Sequence, residues 1–275
     1  MNMQKTPIPA LHFLALTLLL LLLLLPSVTR SSPPPSVRGE AYIVVDADTG
    51  RVLLEKNSNT PRPVASTQKL LTALMIASAE NLDDPVKISS TDTSVAPTKL
   101  YLKEGEEYSR YDLLKAMLMR SYNDAAAALA RDFSGSESDF ARKMNEIASY
   151  LGASNSNFKN ASGLPALDQH SSARDIAIIA RAAYFDPVVN GIVKTSSWNF
   201  KRASGESVPV QNTNRLLKNY QFCTGMKTGY TSAAGNCLVA TAESPSGRFI
   251  AVILGSSRPA IWEDMESLLR WVSES

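Results

Sequence analysis

Histidine is scarce in this 275-residue chain: there are only two, His12 and His170. His12 lies in an apolar leader, which leaves His170 alone in the body. A zinc site built on two or three histidines is all but excluded. A Ser-His-Asp triad would have to use His170, and an enzyme of this composition would move protons with lysine, carboxylate or tyrosine. Cysteine is as scarce. Cys223 and Cys237 lack the Cys-x-x-Cys spacing of a metal or redox motif, and a disulfide between them and two free thiols stand as equal alternatives. Charge of one sign is missing too. The net charge is +2, and Lys5 and Arg30 are the only charged residues among the first thirty. The remainder is therefore neutral, with no basic excess for a phosphate backbone, and nucleic acid is not an expected partner.

Long apolar runs are absent except for one. Residues 11–25 read LHFLALTLLLLLLLL, preceded by Lys5 and followed by Pro26 and Arg30. A positive start and ~15 apolar residues is the pattern of an export signal, shorter than the ~20 residues of a comfortable membrane span. No small-x-small cleavage site follows. Residues 1–30 are thus read as a signal peptide or a retained signal anchor, and residues 31–39, SSPPPSVRG, as a Pro/Ser-rich linker. The body, 40–275, is expected outside the cytoplasm, in a periplasm or on the outer face of the membrane. With 44% hydrophobic and 20% charged residues, it can bury a sizeable core.

Along the body, AYIVVDADTGRVLLEKN (41–57) reads as a hairpin. Apolar residues at 70, 71, 74, 75 and 77 give 68–80 a helical period. Helical patterns follow at 109–118, 123–133, 137–151 (stopped by Gly152) and 175–185. The last third turns strand-like in WNFKR, FCTGMKTGY, NCLVATAE and RFIAVILGS, before a closing helix over 261–273. A hairpin at one end and three strands at the other predict one sheet, with edge strands from both ends of the chain and a helical insertion.

Three short motifs carry chemistry. Ser66-Thr67-Gln68-Lys69 puts a hydroxyl and an amine on one helical face, a turn apart. A serine needs such a base within hydrogen-bond reach to become a nucleophile. Ser121-Tyr122-Asn123 sits in a break between two helices; the plainer reading is a loop with Asn123 capping the next helix. Lys227-Thr228-Gly229 lies on a strand; lysine and threonine can grip a carboxylate, and glycine lets a substrate backbone approach. Each motif alone is weak, but the order is that of the Ser-x-x-Lys, Ser-Asp-Asn and Lys-Thr-Gly set of penicillin-recognising enzymes, with Ser-Tyr-Asn here in the middle place.

At this point the sequence resembles the D-alanyl-D-alanine carboxypeptidases, the low-molecular-mass penicillin-binding proteins. The resemblance includes Pro63-Val64-Ala65-Ser66-Thr67-Gln68-Lys69, Asn160-Ala161-Ser162-Gly163-Leu164, and residues 225–235. It implies an α/β (α+β) fold of the β-lactamase/transpeptidase-like kind: a mainly antiparallel five-stranded sheet flanked by helices, with an inserted helical subdomain. It also implies roles. Ser66 would attack the terminal D-Ala-D-Ala bond of a peptidoglycan stem peptide, and neutral Lys69 would take its proton. The amides of Ser66 and Tyr230 would form the oxyanion hole. Ser121 and Lys227 would pass the proton to the departing D-alanine. Asn123 would hold the substrate amide, Lys227 and Thr228 its carboxylate, and Gly229 would line the strand beside it. β-Lactams would be trapped on Ser66. Neither metal nor cofactor is implied, and a monomer is expected. Many relatives continue into a β-rich second domain and an amphipathic anchor. This chain ends just after its closing helix, so the leader would be its membrane tether. The segment GSSRPAIWEDME has no arginine beside Trp262, where relatives often carry one, and Arg258 is left unassigned.

Three rivals share much of this. A class A β-lactamase would need a glutamate between the second and third motifs, and 152–172 holds only Asp168 as an acid; slow release of penicillin is expected. A D-Ala endopeptidase uses the same residues. A non-catalytic β-lactam sensor would not need the full catalytic set. His170 is expected to be an exposed loop residue.

Overall fold

The computed structural model describes residues 32–274, so the expected leader lies outside the described residues. β1 (Ala41–Asp46) and β2 (Val52–Lys56) form the predicted hairpin. The Asp46 carboxylate closes its turn, accepting from the Thr49 amide at 2.8 Å and the Thr49 hydroxyl at 2.9 Å. At the other end of the chain, β7 (Cys223–Thr231), β8 (Gly235–Ser244) and β9 (Gly247–Ser256) run as a meander. The five strands lie in the order β2-β1-β9-β8-β7 and every pairing is antiparallel. The edges therefore come from the two ends of the chain, as expected, and β7 is an outer strand.

Alternation along the strands gives the sheet two buried faces. On one face Val44, Leu238, Ala240 and Ile253 meet α9 (Ala260–Ser273), which presents Ile261, Met265, Leu268, Leu269 and Val272 at helical spacing. On the other, Ile43, Val45, Val239 and Val252 pack in one core with Leu70 and Met75 of α1 (Lys69–Ala77) and Ile176 and Ile179 of α6 (Ala173–Phe185). A fully buried Val, Leu or Ile is worth roughly 1.5–3 kcal/mol, against about 0–1 kcal/mol for an exposed ion pair. The two apolar layers, not the surface ion pairs, hold the sheet.

The helical insertion comprises α1, α2 (Ser90–Thr93), α3 (Arg110–Arg120), α4 (Asn123–Ser134), α5 (Glu137–Leu151), α6 and α7 (Pro187–Val193). Four of these helices start on a serine, α2 on Ser89 in a capping box with Asp92. Ser109, Ser136 and Ser172 each accept at 3.0 Å from the amide three residues on, that of Asp112, Asp139 or Asp175. Gly152 ends α5 in the left-handed region at φ 90°, as its sequence predicts.

Several features differ from expectation. Val37 and Arg38, assigned by composition to the linker, already belong to the body. Val37 is buried against the α9 layer, and Arg38 grips Asp264 through its amide (2.7 Å) and guanidinium (2.6 and 2.9 Å). Residues 197–201 form β5 (Ser197–Lys201), which pairs with β6 (Ser207–Gln211) in a separate hairpin. A short pair, β3 (Pro85–Lys87) and β4 (Glu107–Ser109), and the one-turn α8 (Leu216–Asn219) were also unpredicted. Cys223 and Cys237 are free and buried. They lie on neighbouring strands, but Cys237 faces Gly229, six residues along β7 from Cys223. That separation is about 20 Å, far beyond the ~4.4–6.8 Å between Cα atoms that a disulfide needs.

Candidate active site

A cleft of about 490 Å³ opens beside the outer strand β7. Ser66, Ser121, Asn123, Thr228, Gly229 and Tyr230 line it. The two remaining predicted residues, Lys69 and Lys227, sit behind the lining, fully buried.

Ser66 lies in a tight 3-10 turn, Ala65–Gln68, that runs straight into α1. The residue before it, Ala65, is held at φ 47°, an unfavourable backbone for an L-residue. Two glycines make room for this turn. A β-carbon on Gly163 (φ +83°) would fall 2.1 Å from the Ala65 carbonyl oxygen. One on Gly229 would fall 2.9 Å from the Ser66 amide nitrogen. Strand β7 and the 160–164 loop thus clasp the serine from two sides.

Lys69 Nζ is 3.0 Å from Ser66 Oγ and 2.8 Å from Asn123 Oδ1, and it also donates to the Ser162 carbonyl. Burial pushes this amine well below the ordinary lysine range, and the nearby charge of Lys227 pushes the same way. Glu137, at the start of α5, and Asp124 pull weakly in the other direction. Asn123 is engaged rather than capping: its amide nitrogen Nδ2 donates to the Ala96 carbonyl at 3.0 Å, which fixes Oδ1 toward Lys69. The helix it opens has Tyr122 as its cap.

Ser121 ends α3 in the left-handed conformation, φ 69°, with its amide bonded to Met117 O at 3.0 Å. Lys227 donates to the Thr228 carbonyl at 2.9 Å, and burial lowers its pKa to about 7. Thr228 Oγ1 donates to Thr213 Oγ1 at 2.7 Å. Tyr230 stands 65% exposed at the rim.

The cleft contains residues that the sequence motifs did not single out. Thr213 is tied to α3 through its amide and Met119 O (3.0 Å). Arg120, Arg215 and Arg258 line the cleft, no Asp or Glu does, and none of the three holds a carboxylate among the described residues. Arg215 stacks 5.4 Å over the Trp262 ring, which also lines the cleft. Arg258 therefore has a place in the site, shared with Arg215. His170 stays outside: its Nδ1 lies 2.9 Å from Asp168 O in the 160–170 loop.

Chemically, the arrangement offers a hydroxyl in contact with an amine that burial biases toward neutrality, beside an outer strand, in a cleft whose charged lining is cationic. That combination suits nucleophilic attack on a carbonyl next to a carboxylate.

A family model described as D-alanyl-D-alanine carboxypeptidase matches residues 27–258. The chain is 37% identical over 225 residues to the D-alanyl-D-alanine carboxypeptidase DacF of Bacillus subtilis, covering 80% of this chain and 58% of that one. It is 35% identical over 247 residues to DacB2 of Mycobacterium tuberculosis, covering 88% and 84%. The chain thus spans less than two thirds of the Bacillus relative's length. A solved D-alanyl-D-alanine carboxypeptidase from M. tuberculosis superposes with TM-score 0.83 at 32% identity, over 88% of this chain and 93% of that one. The Streptomyces K15 DD-transpeptidase superposes with TM-score 0.83 at 27% identity, over 87% and 98%. The chain belongs to the D-alanyl-D-alanine carboxypeptidase family.

Proposed function

We propose that this protein is a serine-type D-alanyl-D-alanine carboxypeptidase, acting outside the cytoplasm on peptidoglycan stem pentapeptides. The observation that carries the reading is the buried, neutral-leaning Lys69 amine 3.0 Å from Ser66 Oγ. Lys69 takes the Ser66 proton as Oγ bonds to the carbonyl carbon of the penultimate D-Ala. The carbonyl π pair moves onto oxygen, where the Ser66 and Tyr230 amides receive it; such donors are worth about 3–4 kcal/mol each. Collapse breaks the C–N bond, and a proton delivered by way of Ser121 and Lys227 leaves with D-alanine. Water then cleaves the Ser66 ester. Asn123 holds the substrate amide. Lys227, Thr228 and the cationic lining hold the terminal carboxylate. β-Lactams acylate the same serine, and the apolar leader serves export or tethering.

A second reading has a specific observation behind it: a D-alanyl-D-alanine endopeptidase of Pseudomonas aeruginosa is 30% identical over 272 residues, 94% of this chain and 87% of that one. The test is incubation with a stem pentapeptide and with crosslinked muropeptides in parallel, using Ser66→Ala as control. D-Alanine release from the pentapeptide is expected. Cleavage of crosslinks without D-alanine release would overturn the carboxypeptidase reading in favour of the endopeptidase.

A further inference from the structure

One side chain wires the turn from Asn160 to Leu164. Asn160 Oδ1 accepts from the Ser162 amide (3.2 Å), the Ser162 hydroxyl (3.1 Å) and the Gly163 amide (2.8 Å), while its Nδ2 donates to Leu164 O at 2.9 Å. The segment carrying the nucleophile grips the same turn. Gln68 Nε2 donates to Asn160 O at 2.6 Å and Thr72 Oγ1 to Ala161 O at 2.8 Å. What this turn presents to the site is the Ser162 carbonyl, which accepts from Lys69 Nζ and, at 3.3 Å, from the Ser66 hydroxyl, whose proton must turn from this carbonyl to the amine for attack.

Counting hydrogens around Lys69 gives that carbonyl a purpose. Nζ has three oxygen neighbours: Ser66 Oγ, Asn123 Oδ1 and Ser162 O. A neutral amine carries two N–H bonds and one lone pair. Asn123 Oδ1 and Ser162 O can only accept. If both N–H bonds go to them, the lone pair is left for the one neighbour with a proton to give, Ser66. Without a fixed Ser162 carbonyl, the amine can rotate and donate to Ser66 instead, which is the wrong direction for catalysis.

We propose that Asn160 is a positioning residue: by holding the Ser162 carbonyl against Lys69 Nζ, it aims the amine's lone pair at the Ser66 hydroxyl. This rests on the reading of Ser66 as nucleophile and Lys69 as base. The proton passes from Ser66 Oγ to Nζ while the Oγ electron pair bonds to the substrate carbonyl. The ammonium so formed then has three hydrogens for three oxygens.

The test is the rate of acylation by a fluorescent penicillin across pH, resolved into a binding constant and a maximal rate, for the wild type, Asn160→Ala and Asn160→Asp. Asn160→Ala should lower the maximal rate by about 10–100-fold, the scale of a ~1 Å misplacement, with the binding constant changed by less than about twofold. Its acid limb should move to lower pH, because the ammonium loses a fixed acceptor. Asn160→Asp keeps an accepting oxygen. It should stay within about tenfold of wild type, with its acid limb moved to higher pH by the added negative charge. A merely structural role would lower the amount of active protein and leave rate and acid limb in place, and that result would overturn the proposal. If Asn160→Ala does not fold, Ser162→Ala, which loses the hydroxyl bond to Asn160 Oδ1, is read on the same two axes. A wild type that is never acylated would instead overturn the underlying reading of Ser66.

Discussion

The positive charge of Lys227 lowers the proton affinity of Lys69 in the buried region behind the cleft, adding to the larger effect of burial itself. Lys227→Gln removes that charge while keeping a polar side chain. The Lys69 proton affinity should then rise, and the acid limb of penicillin acylation should move to higher pH. A pH series of acylation rates on wild type and variant checks it, and an unmoved limb would contradict the coupling.

The same burial has a signature in stability. Lys227 titrates near 7 in the folded protein against 10.5 for a free lysine. Between those values the unfolded chain binds the extra proton, so this group's contribution makes stability rise with pH across the window. Below it, the folded protein carries a charged buried amine at constant cost. Lys227→Met should therefore be more stable than wild type at neutral pH, and the difference should shrink toward pH 10.5. Denaturant unfolding of both proteins at several pH values measures this; a difference independent of pH would contradict it.

Gly163 has no space for a side chain. Its β-carbon would lie 2.1 Å from Ala65 O, at φ +83°. Gly163→Ala should cost about 1–3 kcal/mol and lower acylation by at least about tenfold, because the displaced atoms belong to the nucleophile's own turn. Gly105, also at positive φ (+82°) but with open space around it, is the control. Gly105→Ala should cost stability and leave acylation near wild type. Thermal melts and acylation rates separate the two.

Arg215 and Arg258 both line the cleft, as does Trp262, on whose ring Arg215 stacks. Arg258→Ala and Arg215→Ala should each raise KM for a stem pentapeptide several-fold with kcat within about threefold, the pattern of lost uniform binding. The double variant should lose most of the salt dependence of KM. A fall in kcat with unchanged KM would place these arginines elsewhere in the reaction.

Much of this site is legible in the sequence because its parts are local. Ser66 and Lys69 share one turn of chain, and Lys227 to Tyr230 share one strand, so spacing alone juxtaposes them. The apolar runs of 41–57 and 223–256, broken by turn residues, likewise expose the five-stranded sheet. Asn160 and Ser162 stand in the 160–164 segment that carries the resemblance, but their link to Lys69 and Gln68 spans more than 90 residues; Thr213 and Arg215 lie outside every motif, and nothing in their own neighbourhoods marks them. β6 hides behind Pro209 in its middle, and α7 behind valines, an isoleucine and Gly191, which read as strand or turn until Asp186 accepts from the Val189 amide at 2.8 Å. Asn123 reads as a helix cap because its bond to Lys69 spans 54 residues.

The most direct test of the central claim is the intact mass of the purified protein after incubation with benzylpenicillin, followed by peptide mapping. One stoichiometric adduct on the peptide containing Ser66 is predicted, persisting because no glutamate in the 152–172 segment activates water. Lys69→Arg, whose guanidinium stays charged, should acylate about 10²–10⁴-fold more slowly. An unmodified protein with intact penicillin in solution, or an adduct mapped to another residue, would contradict the assignment of Ser66 and Lys69.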